Sequence, residues 1–382
     1  MATTKGTSHV YGIDQHTLSL TALSGPAAAS GGRSSRFALS TLGTTSPDGH
    51  SEIHIISFDD PDQGNAQDTA ALTATKHKHT AGLLAIHAVP WSPTQLVAVT
   101  GVSGTMRDSV LQVVELEGDN TNVLATLNVP EGCVRKAAVW PIMEGGGRIG
   151  VLSDAAIQVY NLDSSSFKSV WSAPQDDPPE TLACHPSSAF LLSTTDGTAL
   201  RSWDTRQPPA SHATVTVECA HQGRIRALDY NPNVPHIVAT GGDDGIVRLW
   251  DARKMQGPVT EVSEHSCWVY SVRFNPHHDQ LLLTAGADGL VNLESVVSWS
   301  FARQVGTATA AAEEGDEPEY DEYEEEGERA VDGLVAQFDD HETSVYAAVW
   351  SVEDPWVFAS LSFDGRLVIN TVPREEKYKI LL

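Results

Sequence analysis

An all-β fold, a seven-bladed propeller made by one domain spanning residues 1–382, is what the sequence predicts. Three observations predict it: an ungapped internal repeat, short alternating apolar runs closed by Asp-Gly pairs, and the recurrence of those runs at blade spacing. The repeat is anchored on three histidines. With His221, His265 and His341 as a common origin, Thr240, Thr284 and Ser360 each follow by 19 residues, and Asp244, Asp288 and Asp364 by 23. Apolar residues keep the same register, as in Ile225, Val269 and Val345, or Val247, Val291 and Leu367.

Taken in chain order, the apolar patch Val10-Tyr11-Gly12-Ile13 precedes every repeat unit, and residues 8–13 are expected to supply the outermost strand of the last blade. That strand closes the ring, because too little chain follows Val372 for another strand pair. Outer-strand signatures then occur at 52–59, 110–117, 156–163, 199–206, 246–253, 290–296 and 366–373, one for each of seven blades. Within 246–253, Val247-Arg248-Leu249-Trp250 alternates as a strand does, and Asp244-Gly245 makes the tight turn before it. Tyr160, Trp203, Trp250 and Glu294 occupy one position of the signature, 43, 47 and 44 residues apart, close to the roughly 40 to 45 of propeller repeats. From Glu294 to Asn370 the gap is 76, so the last unit carries about 32 extra residues, expected as a loop inside the last blade.

The segment 221–251, with His221, Thr240, Asp244 and Trp250-Asp251, resembles a WD40 repeat, and Trp203-Asp204 is a second match. In that family these four positions form a buried hydrogen-bonded chain that fixes blade geometry. The resemblance thus gives His221, Thr240, Asp244 and Trp250 a structural role, shared by His265, Thr284 and Asp288 and by His341, Ser360 and Asp364. A catalytic set would be wanted once, whereas this one recurs in three blades. Glu294 and Asn370 stand where tryptophan is expected, and an ionised carboxylate cannot donate as an indole does.

No other chemistry survives inspection. Residues 143–148 are glycine-rich but lack the Gly-Lys-Ser/Thr ending of a phosphate loop, and His50 and His54 lack the zinc-protease order. Cys133, Cys184, Cys219 and Cys267 lie 35 or more residues apart, which matches neither a zinc site nor a disulfide framework. The expectation is therefore no enzyme, no catalytic residue, no metal and no cofactor. A formal charge of -26 repels phosphate backbones and anionic headgroups, which argues against nucleic acid as a partner. No apolar run is long enough to span a bilayer, so no membrane insertion is expected and the chain is placed in the cytosol or nucleus. Residues 313–328 carry 11 acidic side chains in 16, and 302–332 reads as an acidic disordered insertion in which Tyr320 and Tyr323 are candidate partner anchors.

The stretch 354–370, Asp-Pro-Trp-Val-Phe-Ala-Ser-Leu-Ser-Phe-Asp-Gly-Arg-Leu-Val-Ile-Asn, resembles the EARP- and GARP-interacting WD-repeat family, as do Ile53-His54-Ile55-Ile56-Ser57-Phe58-Asp59-Asp60 and Glu264-His265-Ser266-Cys267-Trp268-Val269. This resemblance implies a monomeric, non-enzymatic adaptor. It would associate with the endosomal recycling (EARP) and Golgi retrograde (GARP) tethering complexes and be recruited from the cytoplasm to endosomes and the trans-Golgi network. A rival reading starts from Trp203-Asp204-Thr205-Arg206 and Trp250-Asp251-Ala252-Arg253, which fit the Trp-Asp-x-Arg pattern of Cullin-4 ubiquitin-ligase substrate receptors. There Arg206 and Arg253 would contact the ligase adaptor; otherwise each pairs with a nearby carboxylate. A reader of basic peptides is a third reading.

Overall fold

The computed structural model describes residues 8–24, 34–42, 50–59, 71–101, 109–129, 133–140, 147–163, 166–175, 178–208, 213–301 and 331–381. The described residues form 28 strands, in five four-stranded sheets and one eight-stranded sheet. Each four-stranded unit is an antiparallel meander. In the unit built from β18 (Ile225–Tyr230), β19 (Ile237–Gly242), β20 (Val247–Asp251) and β21 (Thr260–Val262), successive strands pair in sequence order. The eight-stranded sheet is two such meanders, β2 to β5 (Thr17–Leu23, Ser34–Thr41, Ser51–Asp59, Ala71–His79) and β6 to β9 (Gly82–Ala88, Gln95–Gly101, Ser109–Glu117, Asn120–Asn128). They are joined only where Lys78 pairs with Asn120 on their outer strands.

The remaining meanders begin with β10 (Val134–Val139), β14 (Thr181–Cys184), β22 (Val269–Phe274) and β26 (Val345–Trp350). The first strands β2, β6, β10, β14, β18, β22 and β26 touch one another in that cyclic order, and β26 returns to β2. This is a closed radial ring, in which sheet faces bury each other and little edge is left to pair with other chains. The core accordingly sits between blades: Ala183 and Leu200 of one meander pack with Ile225, Val238 and Trp250 of the next. The second strands are covered on both faces, so Ile237–Gly242 is buried throughout and reads as a continuous apolar run, with no alternation.

β1 (Ser8–Gly12) closes the ring. It pairs antiparallel with β28 (Arg366–Thr371), with Val10 opposite Val368, and so becomes the fourth strand of the meander β26, β27 (Val357–Ser362), β28. Ile13 N donates to Gly365 O at 2.8 Å. Gly365 has a φ of 77°, and a Cβ there would lie 2.4 Å from Ile13 O, so the seam requires glycine. Across it, Leu20, Phe37 and Phe58 pack with Val357, Leu361 and Ile369.

Two expectations are corrected. The outer-strand signatures fall on third strands such as β20, one position in from the edge, because the Trp position must be buried to reach the network. The insertion lies in the sixth meander and not in the last: β25 (Gly333–Phe338) pairs with β24 (Val291–Ser295), Val291 opposite Phe338, so the extra chain joins its third and fourth strands. Residues 302–330 of it, with Tyr320 and Tyr323, lie outside the described residues. The chain after Val372 adds no strand pair, as expected, and forms a helix, α1 (Arg374–Leu381), with Glu375 and Glu376 in its first turn, where they complement the helix dipole.

Candidate functional site

The polar side chains singled out by the repeat meet at the loop end where the first strands begin. His221 lies just before β18, Thr240 lies on β19, Asp244 in the turn after it, and Trp250 on β20. Trp250 Nε1 donates to Thr240 Oγ1 at 2.8 Å, Thr240 lies 2.8 Å from His221 Nε2, and His221 Nδ1 lies 2.9 Å from Asp244. With the ring proton on Nδ1, every donor has an acceptor. Burial resists charge on Asp244, but bonds from Arg248 and His221 outweigh it and hold the carboxyl down at about 2. Burial likewise keeps His221 neutral, aided by the Arg248 guanidinium against the ring.

The second network repeats two of these contacts: His265 Nδ1 lies 3.0 Å from Asp288 Oδ2 and His265 Nε2 lies 2.9 Å from Thr284. At the fourth position Glu294 Oε1 is 3.1 Å from Thr284 Oγ1, and the residue is 1% exposed. Burial, reinforced by Glu264, pushes the Glu294 acid up to about 8. Glu294 is therefore protonated at neutral pH and can donate to Thr284 as the indole does to Thr240, which removes the objection raised against a carboxylate at this position.

The third network is altered. His341 Nε2 lies 2.7 Å from Ser360, but Nδ1 meets Ser362 Oγ at 2.8 Å, and Ser362 in turn donates to Asp364. The hydroxyl relays a contact that is direct in the other two. The cause stands 21 residues after each histidine, where Gly242 and Gly286 give way to Ser362. A Cβ on Gly242 would lie 2.5 Å from His221 Nδ1, and one on Gly286 2.6 Å from His265 Nδ1. The Gly/Gly/Ser alternation was present in the repeat register and is the signal that reading the side chains alone misses. Asn370 does not join the network, since its amide donates to Asp340 at 3.2 Å. Tyr160, at the Trp position of another blade, donates to Gln158 at 2.9 Å.

These networks stiffen the loops that carry an aromatic patch the sequence did not reveal. Trp268 and Phe363 are 46% and 59% exposed, and Tyr270 and Tyr346 lie beneath them, with Tyr346 and Phe363 ring centroids 4.6 Å apart. Arg226, held by Asp243, places its guanidinium 4.5 Å from the Trp268 ring centre and 5.5 Å from that of Tyr270. Three adjacent meanders contribute, so the patch is assembled by the packing of consecutive blades. Exposed Trp, Tyr and Arg on a rigid support are the residue types that dominate protein–protein binding energy.

Arg206 and Arg253 lie apart from this patch. Each folds back on the aspartate of its own dipeptide: Arg206 Nε and Nη2 donate to Asp204 at 2.9 and 2.7 Å, and Arg253 repeats the pair on Asp251. Both side chains are more than half exposed, so these pairs add little stability. Among the described residues no group of three or more His, Cys, Asp or Glu is placed to hold a metal, and all four cysteines are free.

A closed ring of meanders, tied by His–Asp–Thr–Trp networks, defines a WD-repeat β-propeller, the class that presents loop surfaces to other proteins; residues 333–369 match the WD domain, G-beta repeat family. Residues 5–294 match the EIPR1 beta-propeller family, and the chain belongs to it. It is 33% identical over 367 residues to the human EARP and GARP complex-interacting protein 1, covering 89% of this chain and 92% of that protein. The EARP-interacting protein homolog of Danio rerio is 33% identical over 376 residues, with the same coverage of each chain. The EARP-interacting protein 1 of Caenorhabditis elegans is 32% identical over 239 residues, 63% of this chain and 59% of that one.

Proposed function

We propose that this chain is a non-enzymatic scaffold that associates with the EARP and GARP complexes. On this reading it works in the cytoplasm, recruited peripherally to endosomes and the trans-Golgi network, in endosomal recycling and retrograde transport. The observation that carries the proposal is the likeness, over about nine tenths of both chains, to proteins named for interaction with those complexes. The aromatic patch around Trp268 supplies a surface of suitable chemistry, and the exposed, self-paired Arg206 and Arg253 supply no comparable one. The Cullin-4 reading has no observation to set beside these.

The test is affinity purification of tagged protein from its native cells with mass spectrometry. Wild type is compared with a Trp268→Ala/Phe363→Ala variant and with one lacking 313–328. Tether subunits are expected with wild type and at least tenfold depleted with the patch variant; their loss only on deletion of 313–328 would move the contact to the acidic segment. Recovery of Cullin-4 and its adaptor without tether subunits, abolished by Arg253→Ala, would replace the proposal with the ligase reading.

A further inference from the structure

The first strands enclose a cavity of about 380 Å³ on the ring axis, at the end where those strands finish. β2, β6, β10, β14, β18 and β22 all contribute to its lining, and Pro186, Pro232 and Pro276 line its loop end. That volume lies in the range of small-molecule sites.

Its polar lining is unusual for a chain of charge -26. Lys136 of β10 and Arg273 of β22 enter from opposite sides of the ring, and the only carboxylate in the lining is Asp229 of β18. Asp229 pairs with Arg273, its Oδ1 3.4 Å from Arg273 Nη1, while its Oδ2 accepts Phe274 N at 2.9 Å, so Lys136 is the cation in the lining without a carboxylate partner there. Lys136 Nζ donates to the neutral hydroxyl of Thr181 at 2.6 Å. The third basic side chain, His87 of β6, has its buried Nε2 without a hydrogen-bond partner. With His87 neutral the lining carries one net positive charge, and with His87 protonated it carries two.

We propose that this axial cavity binds a phosphate group between Lys136 and Arg273, with His87 as the third donor. The fit is one of charge and donor geometry. Lys offers a compact point charge, Arg a planar fork of donors, and a phosphate oxygen set can take both at once. A phosphate dianion balances the two positive charges that the lining holds once His87 takes a proton, whereas a single carboxylate leaves His87 without a role. The electrostatics of the empty cavity agree. Burial, with Lys136 and Arg273 nearby, pushes His87 down to about 4, and burial, with Arg273 nearby, pushes Lys136 down to about 8. Each cation is held at a disadvantage that an anion would relieve. The phosphate can belong to a free small molecule or to a phosphorylated side chain of a partner, and the site does not depend on the tether reading.

The experiment is calorimetric titration of the full chain at low ionic strength with inorganic pyrophosphate and, separately, with the tripeptide Gly-phosphoserine-Gly. One-to-one binding below millimolar is expected for at least one probe. Lys136→Met should weaken it at least tenfold, while Lys254→Met, an exposed lysine elsewhere, should leave it unchanged. Arg273→Met leaves Asp229 without its cation and can impair folding, so His87→Phe serves as the second variant, with melting curves reporting the fold; it too should weaken binding. Tighter pyrophosphate binding would assign the site to a free phosphorylated molecule, tighter tripeptide binding to a phosphorylated side chain. No binding by wild type, or equal binding by the Lys136→Met and Lys254→Met variants, would overturn the proposal.

Discussion

The blade that carries Trp250 and the blade beside it that carries Glu294 share a histidine, a threonine and an aspartate at the same offsets, joined at nearly the same distances. Among the four repeat positions they differ at one, and the difference teaches what that position requires. An indole and a carboxylic acid have neither shape nor ordinary charge in common. Each nevertheless sets a nitrogen or oxygen able to carry a proton about 3 Å from a buried threonine hydroxyl. The requirement is a neutral donor of the right reach, and burial enforces neutrality on glutamate by raising its pKa. The tryptophan adds something that glutamate does not, since its ring also fills core between this blade and the preceding one, against Ala183 and Leu200.

The comparison breaks most visibly at Trp250. Trp250→Ala removes both the donor and the ring, and should lower unfolding free energy by about 3 to 5 kcal/mol in denaturant melts. Trp250→Phe keeps most of the volume and loses the bond to Thr240, so about 0.5 to 1.5 kcal/mol is expected. Equal losses for the two variants would mean that the ring's packing is irrelevant.

Glu294 sharpens the comparison through pH. Its acid titrates at about 8 in the fold, against an ordinary value of 4.5. Between those values the native state holds a proton that the unfolded chain has lost, so the stability this group contributes is fully present below about 4.5 and is lost as pH rises through 8. Glu294→Gln keeps a neutral donor and removes the titration. Melts from pH 5 to 9 should show wild type losing about 2 to 4 kcal/mol relative to Glu294→Gln. Parallel curves would show that Glu294 is not held protonated.

How much of this was legible in sequence followed from what the repeat marks. The three blades anchored on His221, His265 and His341 were readable because buried polar groups must be satisfied at fixed offsets. The blades β2–β5 and β6–β9 carry no such set and were placed only by a strand signature. β25 was missed as the partner of β24, since Gly-Leu-Val-Ala-Gln-Phe holds no network residue and a long insertion separates the two. The aromatic patch and the axial cavity were illegible for a different reason. Arg226, Trp268 and Phe363 meet where consecutive blades pack, and His87, Lys136 and Arg273 meet across the ring, at separations of 40 to nearly 190 residues that leave no local pattern.

A narrower test concerns the glycine two residues before the turn aspartate. In the His221 blade Gly242 leaves room for His221 Nδ1 to reach Asp244 directly, whereas in the last blade Ser362 occupies that room and its hydroxyl makes the link between His341 and Asp364. A bare methyl fits neither arrangement. Gly242→Ala sets a Cβ 2.5 Å from His221 Nδ1 and 3.0 Å from Asp244 Oδ1 with no hydroxyl to replace the bond it displaces, and should cost about 1 to 3 kcal/mol. Gly242→Ser brings the same Cβ with a hydroxyl that can relay, as in the last blade, and should recover part of that loss. If serine costs as much as alanine in matched melts, the relay at Ser362 depends on the whole of its own blade. If serine is clearly the milder change, the two geometries are interchangeable solutions to one problem, keeping a buried imidazole bonded at both nitrogens.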